Sequence, residues 1–224
     1  MNSRIKAIIF DFDGLLVNSE ELRFISFEKF LKKHGKKFQG EDYLPTMVTG
    51  PAMTTTIFLI DKYGLEGKVE ELHEERRALF KDLFETRLAF LEGVSELLER
   101  VKNWPVKIGI ASTRRREEIM DGLSRLGVLD LFSVIVTNED LTRGKGKPDP
   151  EIYLIASEKL GVDPKNCLVL EDAPHGVEAA KAAGMKAIYV PDARFVQAHH
   201  ERADLILKNM HELTDEVLGG LFND

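Results

Sequence analysis

The sequence predicts an α/β protein: a parallel sheet with helices on both faces, interrupted once by an all-helical insertion. Three observations carry this. From residue 105 onward, short aliphatic runs alternate with amphipathic stretches. Those stretches open at proline or close at glycine, the expected punctuation of helices. The first apolar run also stands far from the second, with helix-like sequence between them. Repeating βα units imply a parallel sheet covered on both sides.

In chain order, Ile5-Lys6-Ala7-Ile8-Ile9-Phe10 reads as a buried strand that ends in Asp11-Phe12-Asp13-Gly14. Residues 20–34, 52–63 and 69–88 read as helices with few β-runs. A second strand is expected over 106–111, then a helix over 115–126 closed by Gly127. The strand 134–136 precedes a helix that opens at Pro150 and stops at Gly161. Residues 167–170 lead to a helix over 174–183, with Gly184 as its stop. Strands at 187–190 and 205–207 and a helix over 212–221 complete the pattern. Asp13 and Ser112, at the ends of the first two strands, lie 99 residues apart. A βαβ unit needs only about 30. The excess is accounted for by a helical cap over residues 17–88, set into a core of 1–16 and 89–224. A lobe hinged beside Asp11 and Asp13 is suited to be a lid that excludes water.

Bulk properties narrow the function. With 224 residues, 43% of them hydrophobic, the chain can bury a full core. A net charge of −7 argues against nonspecific binding to nucleic acid or a membrane surface. The N-terminus carries neither a signal peptide nor a span of about 20 apolar residues, so a soluble cytoplasmic protein is expected. Cys167, the single cysteine, lies in an apolar run and reads as a buried, inert thiol. Of the six histidines, His34, His73, His175, His199, His200 and His211, none has metal-ligand spacing with another histidine or with cysteine. His199 and His200 read as surface loop, and His175 as a helix-start residue facing solvent.

The chemistry gathers at strand ends. Side chains two apart on a strand share a face, so Asp11 and Asp13 emerge together. Ligands bind at this carboxyl end in open α/β sheets. Adjacent carboxylates repel unless a cation or a proton lies between them, so the pair predicts a metal, a shared proton, or both. Ser112-Thr113 ends the second strand and precedes a helix start, a ready anion site. Lys147 precedes another helix, with Pro148 stiffening its turn. Glu171-Asp172 adds two carboxylates with hard oxygens suited to Mg²⁺. Each has a plain structural reading: a helix cap, a solvated loop cation, a turn. Four polar strand ends on one crest favour the functional one.

In order, Asp11-Phe12-Asp13-Gly14, Ser112, Lys147 and Glu171-Asp172 resemble the four motifs of the haloacid dehalogenase superfamily of phosphohydrolases. Residues 146–153 and 171–180 resemble its branch with β-phosphoglucomutase and the sugar-phosphate phosphatases. The resemblance implies a Rossmann-like core with an inserted helical cap that sets substrate specificity. It implies that Asp11 is the nucleophile, forming an aspartyl-phosphate, and that Asp13 moves the protons. Ser112, with Thr113, would bind phosphoryl oxygens. Lys147 would neutralise charge between Asp11 and the phosphoryl group, and Glu20 in the cap would contact substrate. Asp11, the Asp13 backbone carbonyl, Asp172 and Glu171, directly or through water, would hold Mg²⁺. An acid at Asp13 argues against dehalogenase and phosphonate chemistry, because a halide leaves without a proton. The expected function is a Mg²⁺-dependent phosphomonoesterase acting as a monomer on a small phosphorylated metabolite, first of all a sugar phosphate. A phosphoglucomutase using the same intermediate is the alternative, and a non-catalytic sugar-phosphate-binding module is a more remote one. β-Phosphoglucomutases carry a histidine where this chain has Arg23. Arginine stays protonated and cannot reproduce that histidine's hydrogen-bond switching, which favours hydrolysis.

Overall fold

A computed structural model describes residues 5–43, 52–191 and 202–221. Six parallel strands form one sheet in the order β3-β2-β1-β4-β5-β6. They are β1 (Ala7–Phe10), β2 (Lys107–Ala111), β3 (Val134–Val136), β4 (Cys167–Glu171), β5 (Lys186–Tyr189) and β6 (Leu205–Ile206). The central strands β1 and β4 are buried along their whole length, as apolar strands covered on both faces must be. Their register pairs Ala7 with Cys167 and Phe10 with Leu170, so β4 runs one residue beyond β1. On one face Ala7, Ile9 and Val169 pack with Ile152, Tyr153 and Ala156 of helix α6 (Glu151–Leu160). Phe10 points the other way, edge-on to Phe132. Burying a side chain of this size contributes about 1.5–3 kcal/mol.

The chain divides into two compact units, Met1–Val17 with Ala89–Asp224, and Asn18–Leu88. The exit and return of the core chain are tied together by an antiparallel bridge between Val17 and Phe90 and by Leu91 N–H donating to Leu16 C=O. The helical unit holds α1 (Ser19–Lys33), α2 (Ala52–Tyr63) and α3 (Val69–Arg87). Its interior is aromatic: Phe24 and Phe27 both meet Phe38, at ring-centroid distances of 5.2 and 5.7 Å.

Expected and observed element bounds differ by a residue or two at most core elements. One element escaped the sequence reading: helix α4 (Val94–Val101), although Val94, Leu97, Leu98 and Val101 give it a clear apolar stripe. Gly93 opens α4 at φ +80°, and a Cβ there would sit 2.7 Å from the His211 backbone nitrogen. Further on come α5 (Arg116–Arg125) and α7 (Pro174–Ala182). The last helix, α8, covers Asp215–Gly220 rather than starting at 212, because Thr214 caps it by accepting from Val217 N–H. Cys167 is buried and free, and burial pushes its thiol up to about 12. His199 and His200 lie outside the described residues. No described helix is long and apolar enough to cross a membrane.

Candidate active site

Three strands end side by side, and each delivers a polar residue. Asp11 follows β1, its backbone N–H still bonded to Leu170 C=O. Ser112 follows β2, bonded to Val136 C=O in the same way. Glu171 is the last residue of β4, with Asp172 just beyond. Lys147 reaches this crest from the loop ahead of α6. Its Nζ lies 2.5 Å from Asp11 Oδ1, 2.5 Å from Glu171 Oε1 and 3.1 Å from Ala111 C=O. All three ammonium donors therefore have acceptors, and the Lys147 side chain is only 2% exposed. The lysine is a structural bridge between two buried acids, not a solvated loop cation.

Charge is unevenly balanced here. Burial raises Asp11, as do Glu171 and Asp13, and the pull of Lys147 leaves it at about 7. Burial also works against Glu171, but the Lys147 charge and the bonds from Lys147 and Tyr153 outweigh it and hold that carboxyl below its usual range. For Lys147 the desolvation penalty is overcome by Asp11 and Glu171, which keep the ammonium well above its ordinary value. Tyr153 is raised by burial and by Glu171, so its hydroxyl stays protonated and donates to Glu171 Oε1 at 2.6 Å. Ala173 N–H donates to the other oxygen at 3.2 Å. With both oxygens occupied, Glu171 fits better as the anchor of Lys147 than as a direct metal ligand.

Among the described residues no three His, Cys, Asp or Glu side chains form a ready-made metal cage. Mg²⁺ typically uses one or two carboxylates, several waters and substrate phosphate. Asp11, Asp172 and the Asp13 carbonyl offer hard oxygens of the kind that Mg²⁺ takes. The raised Asp11 carboxyl, crowded by two further acids, is a group that a divalent cation would stabilise.

Asp13 is handled differently. Its carboxylate is gripped by Arg114, with Nε at 3.0 and 2.8 Å from its two oxygens and Nη2 at 2.7 Å from Oδ1. Ser112 is buried, and its Oγ accepts the Arg114 N–H at 3.3 Å, which leaves the hydroxyl proton to donate elsewhere. Thr113 is exposed. Asp11, Glu171 and Lys147 are thus in direct contact, with Ser112 and Asp172 on adjoining strand ends. Glu20 belongs to the helical unit, where Tyr43 donates to it at 2.7 Å and Arg23 lies 3.3 Å away. His175 is half-buried at the start of α7, not turned out to solvent, and burial lowers it.

Sequence reasoning missed three contributors to this site and one buried cation of the helical unit. Arg114 was one of three successive arginines, with nothing to mark which turns inward. Tyr153 reads as core. Gly176 lets the first turn of α7 pass against Glu171, because a Cβ there would overlap that carboxylate. In the helical unit, Arg76 is buried, donating to Thr56 Oγ1 at 3.0 Å and to Ala52 C=O at 2.9 Å. Its place in a run of charged residues gave no sign of this.

A lysine-bridged carboxylate thus stands at the carboxyl end of a parallel sheet, with a second acid two residues on. The chain belongs to the haloacid dehalogenase-like hydrolases, whose family model matches residues 8–190. It is 35% identical to the phosphorylated carbohydrates phosphatase of Thermotoga maritima, over 83% of this chain and 84% of that one. It is 33% identical to the beta-phosphoglucomutase of Bacillus subtilis, over 96% and 94%. A crystal structure of a candidate beta-phosphoglucomutase from Thermotoga maritima superposes with a TM-score of 0.81 at 30% identity, covering 96% of this chain and 98% of that one. Phosphatases are prominent among such relatives, and Mg²⁺ with an aspartyl-phosphate is typical of the family.

Proposed function

We propose that this chain is a Mg²⁺-dependent phosphomonoesterase that hydrolyses a small phosphorylated metabolite, first of all a sugar phosphate, as a cytoplasmic monomer. One observation carries the reading: Lys147 joins Asp11 to Glu171 at the sheet's carboxyl end while Asp13, two residues on, is held separately. Asp11 attacks phosphorus and becomes the aspartyl-phosphate. Lys147 offsets the charge that accumulates between Asp11 and the phosphoryl oxygens, and the Ser112 hydroxyl donates to one of them. Asp13 protonates the leaving oxygen and then takes the proton of the attacking water, work that typically contributes about 10²–10⁴-fold. Asp11, the Asp13 carbonyl and Asp172 would hold Mg²⁺, with Glu171 reaching it through water. The ion would supply positive charge to the phosphoryl oxygens and keep Asp11 ionised. Residues 17–88, with Glu20 among them, choose the substrate.

Transfer to a second hydroxyl, as in a mutase, is the reading that the Bacillus subtilis relative favours. Arg23 favours hydrolysis, since it lies against Glu20, 3.3 Å away, as a permanent cation. Incubation with β-glucose 1-phosphate, Mg²⁺ and a trace of the 1,6-bisphosphate separates the two. Phosphate release without isomer is expected. Glucose 6-phosphate appearing much faster than phosphate would establish the mutase instead.

A further inference from the structure

Arg114 stands between the end of β2 and the start of α5, with its side chain only 9% exposed. Its Nε and Nη2 make three bonds to Asp13, two of them to Oδ1. On its far side Nη1 donates to Glu118 Oε2 at 2.8 Å, one helical turn along α5. Glu118 is itself held by Arg115 Nε at 2.9 Å. The guanidinium is therefore fixed between two carboxylates. Its planar fork sets the plane of the acid it grips as well as the distance, which a lysine's point charge does not.

Given the phosphatase reading above, we infer that Arg114 is a positioning residue that aims the Asp13 carboxylate for the second half of the reaction. In that half a water oxygen bonds to phosphorus as the Asp11–phosphorus bond breaks. The water's proton passes to Asp13, inorganic phosphate leaves, and Asp11 returns as a free carboxylate. Arg114 acts through Asp13, by the bonds that it makes to that side chain. Its contribution is angular, and a group misplaced by about 1 Å costs about 10²-fold in rate.

The test uses p-nitrophenyl phosphate and Mg²⁺ with rapid mixing. p-Nitrophenolate leaves without a proton, so phosphorylation of Asp11 does not draw on Asp13. Arg114→Ala is expected to keep a stoichiometric burst of p-nitrophenolate while the steady rate after it falls about 10²-fold. KM should fall with kcat, leaving kcat/KM close to wild type. Added methylguanidine should restore part of the steady rate. An unchanged kcat, or a loss of kcat/KM with no burst, would overturn the inference. If Arg114→Ala has no native circular dichroism, Arg114→Lys is read by the same criteria. Wild-type protein that releases no p-nitrophenolate would instead overturn the phosphatase reading itself.

Discussion

With Asp11 on one side and Glu171 on the other, Lys147 uses its ammonium to hold two buried acids that would otherwise repel. Breaking a buried pair by removing one partner costs about 3–5 kcal/mol, because the other charge is left unpaired. At Asp11 an isosteric change separates chemistry from folding. Asp11→Asn keeps the side-chain volume and can still accept from Lys147, but an amide does not attack phosphorus. Circular dichroism and thermal melting should remain close to wild type while phosphate release falls below one-hundredth, on the order of 10²–10⁴-fold or more. Retention of more than a few per cent of activity would remove Asp11 from its role. At this scale the sequence was informative for acids and less so for their partners. Asp11, Asp13 and Glu171 announce themselves at strand ends, and Lys147 just ahead of a helix. Arg114 is chemically the same as Arg115 and Arg116, and only the turn after β2 decides which of them faces Asp13.

Elements position these groups through close backbone approach. The first turn of α7 passes directly over the Glu171 carboxylate at Gly176. Gly176→Ala therefore forces Glu171 to move, and Lys147 with it. Overpacking of this kind costs about 1–3 kcal/mol, seen as a lower denaturation midpoint. We expect kcat to fall by more than tenfold as well, because a small displacement of Lys147 beside the nucleophile is costly. Wild-type melting and wild-type kcat in this variant would show that the close approach does not matter. Apolar periodicity found the strands to within a residue or two and located the helices of residues 18–88, since both signals are set by burial. It missed α4, whose eight residues follow directly after the return from the insertion. It also placed the last helix too early, where a short turn over Met210–Glu212 and the Thr214 cap set the true start.

At the scale of the whole molecule, three strand ends and one loop bring four carboxylates and two cations to a single crest. These residues are spread over 11–172, and the strand order β2-β1-β4 sets which strand ends are neighbours. What the sequence could show was their shared place at strand ends. The surplus of acid over base predicts a metal requirement. Exhaustive treatment with EDTA should silence phosphate release and Mg²⁺ should restore it. Ca²⁺ should substitute poorly, because it takes more ligands at longer distances than the near-octahedral Mg²⁺. Full activity after chelation would contradict this. Chemical trapping shows whether Asp11 carries the phosphoryl group in transit. Wild-type protein turning over p-nitrophenyl phosphate with Mg²⁺ is quenched in acid and reduced with borohydride, which converts an aspartyl-phosphate to homoserine. Peptide mass mapping should find homoserine at position 11 and at no other acid. Reduction at a different carboxylate, or at none while turnover proceeds, would contradict the account.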